Sequence, residues 1–167
     1  MSVAEKLERL ARWVPGIAGY QDRESARETD KTLRLQLAGV LAEARLGVEE
    51  VKRALVDAKR LDGLAALDRL SSKLDKCENL TRYAGRGYRG WFDQYKVTRA
   101  TLEQLYAYDL SLVEYVERVR RQVQALQRGG RGADELTSAI DAVERALDHF
   151  AQQLDRRSDL MTQRTTG

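Results

Sequence analysis

The sequence predicts an all-α chain: one antiparallel bundle of about five helices with coiled-coil-like seams and one long helix over about 22–60. Three observations carry this. Charged residues make up 33% of the 167 positions, aromatics 7%, and there is a single proline, a balance suited to long amphipathic helices rather than to sheets. Apolar residues recur at spacings of three and four along most of the chain. Turn signals are few, and the length suits one domain with a real core. The whole chain, 1–167, is therefore expected to form a single helical domain.

The first helix, about 2–14, opens on the capping-box pattern Ser2-x-x-Glu5, carries Val3, Leu7, Leu10 and Val14, and stops at Pro15-Gly16. Asp22 can cap the second, whose stripe runs Leu33, Leu37, Val40, Ala44, Gly47, Val51, Leu55 and Ala58. Unless Gly47 breaks it, that helix reaches about 57 Å. Asp62-Gly63 marks a turn, and Leu64, Leu67, Leu70, Leu74, Cys77 and Leu80 define a third helix over about 64–83. The fourth, about 98–127, carries Leu102, Leu105, Asp109, Leu112, Val116, Val119, Val123 and Leu126. After the break Arg128-Gly-Gly-Arg-Gly132, a fifth helix over about 133–158 presents Leu136, Ile140, Val143, Leu147, Phe150 and Leu154, and 161–167 form a frayed tail.

Between the third and fourth helices lies YAGRGYRGWFD, residues 83–93, which contains a literal G-x-G-x-x-G. That fingerprint binds dinucleotides only between a buried strand and a helix, and here it comes after an amphipathic helix in a chain without strand-like runs. A comparison within the chain is closer. Gly16-Ile-Ala-Gly19-Tyr20-Gln-Asp22 and Gly87-Tyr-Arg-Gly90-Trp91-Phe-Asp93 both read G-x-x-G-aromatic-x-D, so the two turns are expected to be built alike, with Asp capping the next helix in each case. The third helix covers only about half of the second, so 85–97 should shield part of the rest, with Tyr88, Trp91, Phe92 and Tyr95 beneath an arginine rim.

The segments VPGIAGYQDRESARETDKTLR (14–34), LDRLSSKLDKCENLTRYAGRGYRGWFDQYKV (67–97) and LEQLYAYDLSL (102–112), with their PGxxGYxxRE and YxxxGYxGxFD patterns, resemble small all-helical bacterial proteins of unassigned biochemical role. The resemblance implies helical architecture and a setting in bacterial stress or envelope maintenance. It carries over no catalytic residue.

Chemistry-bearing clusters are sparse. One histidine and one cysteine cannot form a Cys/His zinc site or a di-iron bundle motif, so no metal or cofactor is expected. Cys77 lies on an apolar stripe, and no serine sits in a nucleophile signature. A single cysteine, no apolar leader and no run of about 18 apolar residues point to a cytoplasmic chain that is not an enzyme.

Net charge is only +3 but uneven: residues 82–99 carry +4 and 118–132 carry +5, leaving −6 elsewhere. The expected function is a helical interaction module that binds another protein through the basic-aromatic turn, with Tyr20, Arg86, Tyr88, Arg89, Trp91 and Lys96 as contacts. Nucleic-acid binding through the arginine-rich segments is the first alternative. The second is peripheral binding to anionic lipid through Lys6, Arg9 and Arg12 beside Leu7, Leu10, Trp13 and Val14. Self-association through free seams is also open.

Asp109 stands where the fourth helix calls for an apolar residue. A buried carboxylate needs a partner, so a structural tie to Arg82, Arg86 or a tyrosine of the glycine-rich turn is expected. On that basis Asp109→Leu should keep or raise stability while loosening the turn.

Overall fold

Residues 1–96, 98–129 and 132–162 are described by a computed structural model. Among them there is no strand, and six α-helices pack together: α1 (Val3–Trp13), α2 (Arg23–Asp57), α3 (Leu64–Tyr83), α4 (Arg89–Asp93), α5 (Arg99–Arg128) and α6 (Ala133–Thr162). A single 3-10 turn, Ala84–Gly87, joins α3 to α4.

Local sequence sets the helix starts. Ser2 and Glu5 close the expected capping box, with Ser2 N–H donating to Glu5 (2.6 Å) and Glu5 N–H to Ser2 Oγ (3.2 Å). Asp22 accepts from Ser25 N–H at 2.8 Å and Thr98 from Thr101 N–H at 3.1 Å. The long helix stops at Asp57 rather than 60, because Lys59 turns left-handed (φ 57°) and the N–H of Arg60 reaches back to Leu55 O. In the other direction α6 runs to Thr162, past the expected end at 158 and into the expected tail, where buried Met161 anchors it; 163–167 lie outside the described residues, as do Val97, Gly130 and Arg131.

The four long helices form a ring in which α2 touches α3 and α5, and α6 touches α5 and α3; α1 lies along α5. Their stripes meet in one core containing Leu33, Leu37, Leu67, Leu70, Val116, Val119, Val143 and Leu147, all essentially unexposed. Each such side chain contributes roughly 1.5–3 kcal/mol relative to exposure. Two stripe positions depart from expectation: Ala58 lies beyond the end of α2, and Leu80 is 50% exposed because α3 turns its last buried face through Cys77 and Thr81 instead.

At 20 residues, α3 leaves part of the 35-residue α2 without a partner. The segment after α3 fills that space. Here α4 packs on α2 and α6, with Tyr88, Trp91 and Phe92 buried beneath it. The two G-x-x-G turns are therefore not built alike. Gly16 and Gly19 have φ of 80° and 83°, whereas no glycine of 85–90 has positive φ, since that stretch is a 3-10 turn running into a short helix. Nor does Asp93 cap α5. It closes α4 and pairs with Arg27 at 2.5 Å, leaving the cap to Thr98.

Gly47 does not break α2. It sits where α2 meets α5, and a Cβ there would come within 2.8 Å of Val123 Cγ1, so the glycine permits close helix approach. Gly39, by contrast, has nothing within 4 Å of where its Cβ would be. Gly39→Ala is therefore expected to raise stability by roughly 0.5–1 kcal/mol through helix propensity. Gly47→Val should lower it by roughly 1–3 kcal/mol through overpacking. Urea denaturation of both variants checks the pair, and equal shifts of one sign would contradict this account of the α2–α5 contact.

Candidate functional site

One end of the bundle contains an unusual concentration of buried charge. Gly19 places the next residue inside the bundle: its left-handed backbone passes so close to Tyr106 that a Cβ would collide with the Tyr106 hydroxyl and crowd Leu7. Tyr20 is consequently fully buried. Its N–H donates to Tyr106 Oη (3.0 Å), its carbonyl accepts from Tyr95 Oη (2.7 Å), and its own hydroxyl donates to Asp109 Oδ2.

Arg157, near the C-terminal end of α6, is the centre of the cluster and is 0% exposed. Its Nε donates to Asp109 Oδ1 (2.7 Å), one terminal nitrogen to Asp30 Oδ1 (2.7 Å) and the other to Tyr20 Oη (3.1 Å). The Tyr88 ring lies 5.8 Å from its guanidinium carbon, while the Tyr88 hydroxyl and Ser158 Oγ share a hydrogen bond of 2.6 Å. Asp30 also accepts from Arg34 Nε (2.9 Å), and Arg34 Nη1 donates to Arg82 O (2.7 Å) at the end of α3. Two carboxylates and two guanidiniums thus form a chain with balanced charge across α5, α6, α2 and α3, which is the condition for tolerating buried ions.

Burial works against the charges on Asp109 and Arg157. It lifts the Asp109 carboxyl above the ordinary carboxylate range, a rise that Arg157 and Tyr20 restrain. The Tyr20 phenol is pushed well up by burial and by the Asp109 charge. Burial opposes the charge on Arg157, yet Asp109, Tyr20 and Asp30 together hold it firmly protonated. Cys77, elsewhere in the core, has its thiol pushed up by burial.

The expected partners of Asp109 are corrected by this geometry. Arg82 pairs with Glu78 at 3.3 Å and Arg86 lies over the Tyr83 ring at 4.8 Å, whereas Asp109 faces across the seam to α6 and to the first turn. The glycine-rich segment reaches the cluster through Tyr88 instead. Arg157 and Asp30 were not singled out from sequence, although a signal existed. Leu147, Phe150, Leu154, Arg157 and Met161 continue the three-four spacing, as do Ala26, Asp30, Leu33 and Leu37, so Arg157 and Asp30, like Asp109, occupy stripe positions.

Outside this cluster, α2, the end of α3 and the turn enclose a basic cleft. A solvent-open cavity of about 530 Å³ is lined by residues including Lys31, Arg34, Leu35, Tyr83, Arg86 and Arg89, and an adjoining one of about 260 Å³ by Arg27, Asp30, Lys31, Arg34, Gly85, Arg89 and Phe92, the Asp30 carboxylate being taken up by Arg34 and Arg157. Arg27 is matched by Asp93 and Arg82 by Glu78, but Lys31, Arg86 and Arg89 have no acidic partner among the described residues. Leu35 and Tyr83 are 41% and 50% exposed, giving the cleft an apolar margin.

Of the six expected contact residues, Arg86 and Arg89 lie in this cleft. Tyr20, Tyr88 and Trp91 are buried: the Gly19 turn sends Tyr20 into the bundle, and the aromatic side of α4 folds onto α2 and α6. Lys96 is exposed at a separate depression beside Trp91 and Tyr95. The other charged surfaces lack such a cavity edged by unmatched cations, and Arg121 and Arg128 of the second basic segment also have no ion pair among the described residues. Arg120 pairs with Glu117 (2.9 Å) and Glu43 (3.7 Å), Arg118 lies over Tyr115, and Arg131 is outside the described residues. On α1, Arg9 pairs with Glu114, Arg12 with Glu8, and Leu10 and Val14 turn into the core.

Among the described residues no helix is long and apolar enough to cross a membrane, and no group of three or more His, Cys, Asp or Glu side chains is arranged to hold a metal. Comparison with models of known families, with curated proteins and with solved structures finds no match to this chain.

With Arg157 in place, Asp109→Leu is expected to destabilise the fold by about 3–5 kcal/mol rather than preserve it, because it leaves a buried guanidinium short of a counter-charge. Adding Arg157→Met should recover much of that loss, leaving Asp30 to Arg34. Chemical denaturation of both single variants and the double variant measures the coupling, and simple additivity would contradict it.

The phenols give a pH signature. Tyr20 is raised by burial and Asp109, Tyr106 mainly by burial, and Tyr95 is pushed up to about 12 by burial. The folded state therefore holds protons that an unfolded chain releases near pH ~10, so their contribution is complete below that value and is lost as pH rises through the folded pKa values. Phenolate absorbance should show these tyrosines ionising late, together with loss of helicity. Titration of all seven tyrosines near pH ~10 with the helices intact would contradict the burial argument.

Proposed function

We propose that this protein is a non-enzymatic helical interaction module that holds an acidic protein partner in the cleft between α2 and the glycine-rich turn. The observation that carries this reading is the convergence of Lys31, Arg86 and Arg89, without acidic partners among the described residues, on a cavity edged by exposed Leu35 and Tyr83. Unmatched cations attract an acidic segment, and an apolar margin gives that segment's hydrophobic side chains something to cover. Tyr20, Tyr88 and Trp91 act in this reading as supports that hold the basic rim rather than as contacts. Arginine and tyrosine at the centre are residue types that dominate binding energy at interfaces.

Nucleic acid would need aromatic faces for stacking or a groove-reading element. Tyr88, Trp91 and Phe92 are buried, which leaves Tyr83 as the exposed ring beside the cleft and gives successive bases no run of aromatic faces. Lipid binding through α1 would need its apolar residues outside the core.

The test is fluorescence anisotropy with a labelled peptide of alternating acidic and apolar residues, at low and moderate salt. Wild type should bind, and Lys31→Glu combined with Arg89→Glu should weaken binding at least about tenfold, a loss of about 1.4 kcal/mol. Binding unchanged by the charge reversals, or tighter binding to DNA or to anionic vesicles than to the peptide, would overturn the reading.

A further inference from the structure

We propose that the cleft seats one phosphoryl group, a phosphorylated serine or threonine side chain of the partner, against Arg34, Lys31 and Arg89. The proposal rests on the acidic-partner reading above and names the chemistry that the cleft selects.

Arg34 supplies the first observation. It is 8% exposed, yet it lines both cavities. Its Nε is held by Asp30 and its Nη1 by the carbonyls of Arg82 and Thr81, while Nη2 makes no hydrogen bond to any described residue. That unspent nitrogen lies against Gly85, where a Cβ would overlap the guanidinium. Glycine at this position lets the turn pack directly against the guanidinium without displacing it. Asp30 is itself gripped by Arg157, so the donor is fixed before any ligand arrives and loses little side-chain freedom on binding.

Charge supplies the second. The cation on Arg34 is balanced within the buried chain of Asp30, Asp109 and Arg157, whereas Lys31, Arg86 and Arg89 add three charges that form no ion pair among the described residues, the nearby carboxylates Asp30 and Asp93 being held by other arginines. One Glu or Asp side chain would neutralise one of them. A phosphoryl group carries about −1.5 to −2 at neutral pH and offers three acceptor oxygens, so it can engage a fixed guanidinium edge and two mobile cations together.

Shape supplies the third. The smaller cavity of about 260 Å³ is bordered by Phe92, and the larger one of about 530 Å³ shares Lys31, Arg34, Gly85 and Arg89 with it and extends past Leu35 and Tyr83. A phosphorylated side chain suits the smaller cavity while flanking peptide covers the apolar margin of the larger one, a margin that a free inorganic ion would leave bare.

The experiment uses the full chain and three peptides of one acidic-apolar sequence carrying serine, glutamate or phosphoserine at the central position. By calorimetry, the phosphoserine peptide should bind at least about tenfold more tightly than the glutamate peptide. Lys31→Gln with Arg89→Gln should abolish that preference; both residues are exposed, so these changes leave the core intact. Gly85→Ala should reduce it by displacing Arg34, with helicity monitored by circular dichroism. Side-chain NMR should show the Arg34 Nε–Hε signal shifting only with the phosphorylated peptide. Equal binding of the glutamate and phosphoserine peptides would overturn the phosphoryl seat while leaving the acidic-partner reading standing, and no binding of any peptide would overturn both. Preference for inorganic phosphate alone, or for phosphatidic acid vesicles over the phosphopeptide, would also overturn it.

Discussion

The guanidinium of Arg157 is the constraint around which this end of the molecule is arranged. A fully buried arginine must have most of its donors satisfied, and here the acceptors come from three different segments: Asp109 on α5, Asp30 on α2 and the Tyr20 hydroxyl in the first turn. Because Asp30 must also serve Arg34, the same constraint extends to the carbonyls at the end of α3. Buried ion chains of this kind add little net stability compared with apolar packing. Breaking one is costly, however, so they fix which helices face one another. In a bundle whose other contacts are largely Leu and Val, this polar end specifies register.

The unequal lengths of α2 and α3 do the rest. Where α3 ends, α2 would expose its N-terminal third, and the chain covers it with a 3-10 turn and a five-residue helix whose aromatic side faces inward. The same fold-back places Arg86 and Arg89 opposite Lys31 and Arg34. The basic cleft is thus a by-product of shielding: aromatic residues go down onto the bundle, arginines remain at the rim, and Gly85 lets the turn pass directly over Arg34. Arg34 belongs to both regions, with one edge committed to the buried ions and its remaining nitrogen beside the cleft.

Much of the helical order was legible in the sequence, since capping residues and apolar spacing act locally. Ser2, Asp22, Thr98 and Gly63 mark boundaries within a residue or two, and the stripes of α2, α5 and α6 are buried nearly throughout. Asp109 was recognisable as a charge out of place for the same reason. Its partners were not, because a pairing between residues 109 and 157 depends on which helices are neighbours in the ring. The burial of the aromatic side chains was hidden in a similar way. Tyr88 and Trp91 stand beside arginines in a glycine-rich stretch, a composition common to exposed binding loops and to buried clamps alike, and only the gap beside α3 decides between them.

By itself, then, the sequence determined an all-helical chain, the positions of its turns and the presence of a carboxylate needing a partner, because these arise from spacing and from hydrogen-bond chemistry within a few residues. The tertiary structure alone decided that Arg157 and Asp30 complete that carboxylate's environment and that α4 folds inward. It also decided that Lys31 and Arg34 join Arg86 and Arg89 around one cleft. Residues 34 and 85 meet only after the bundle closes, and charges so far apart along the chain have no local signature until packing brings them together.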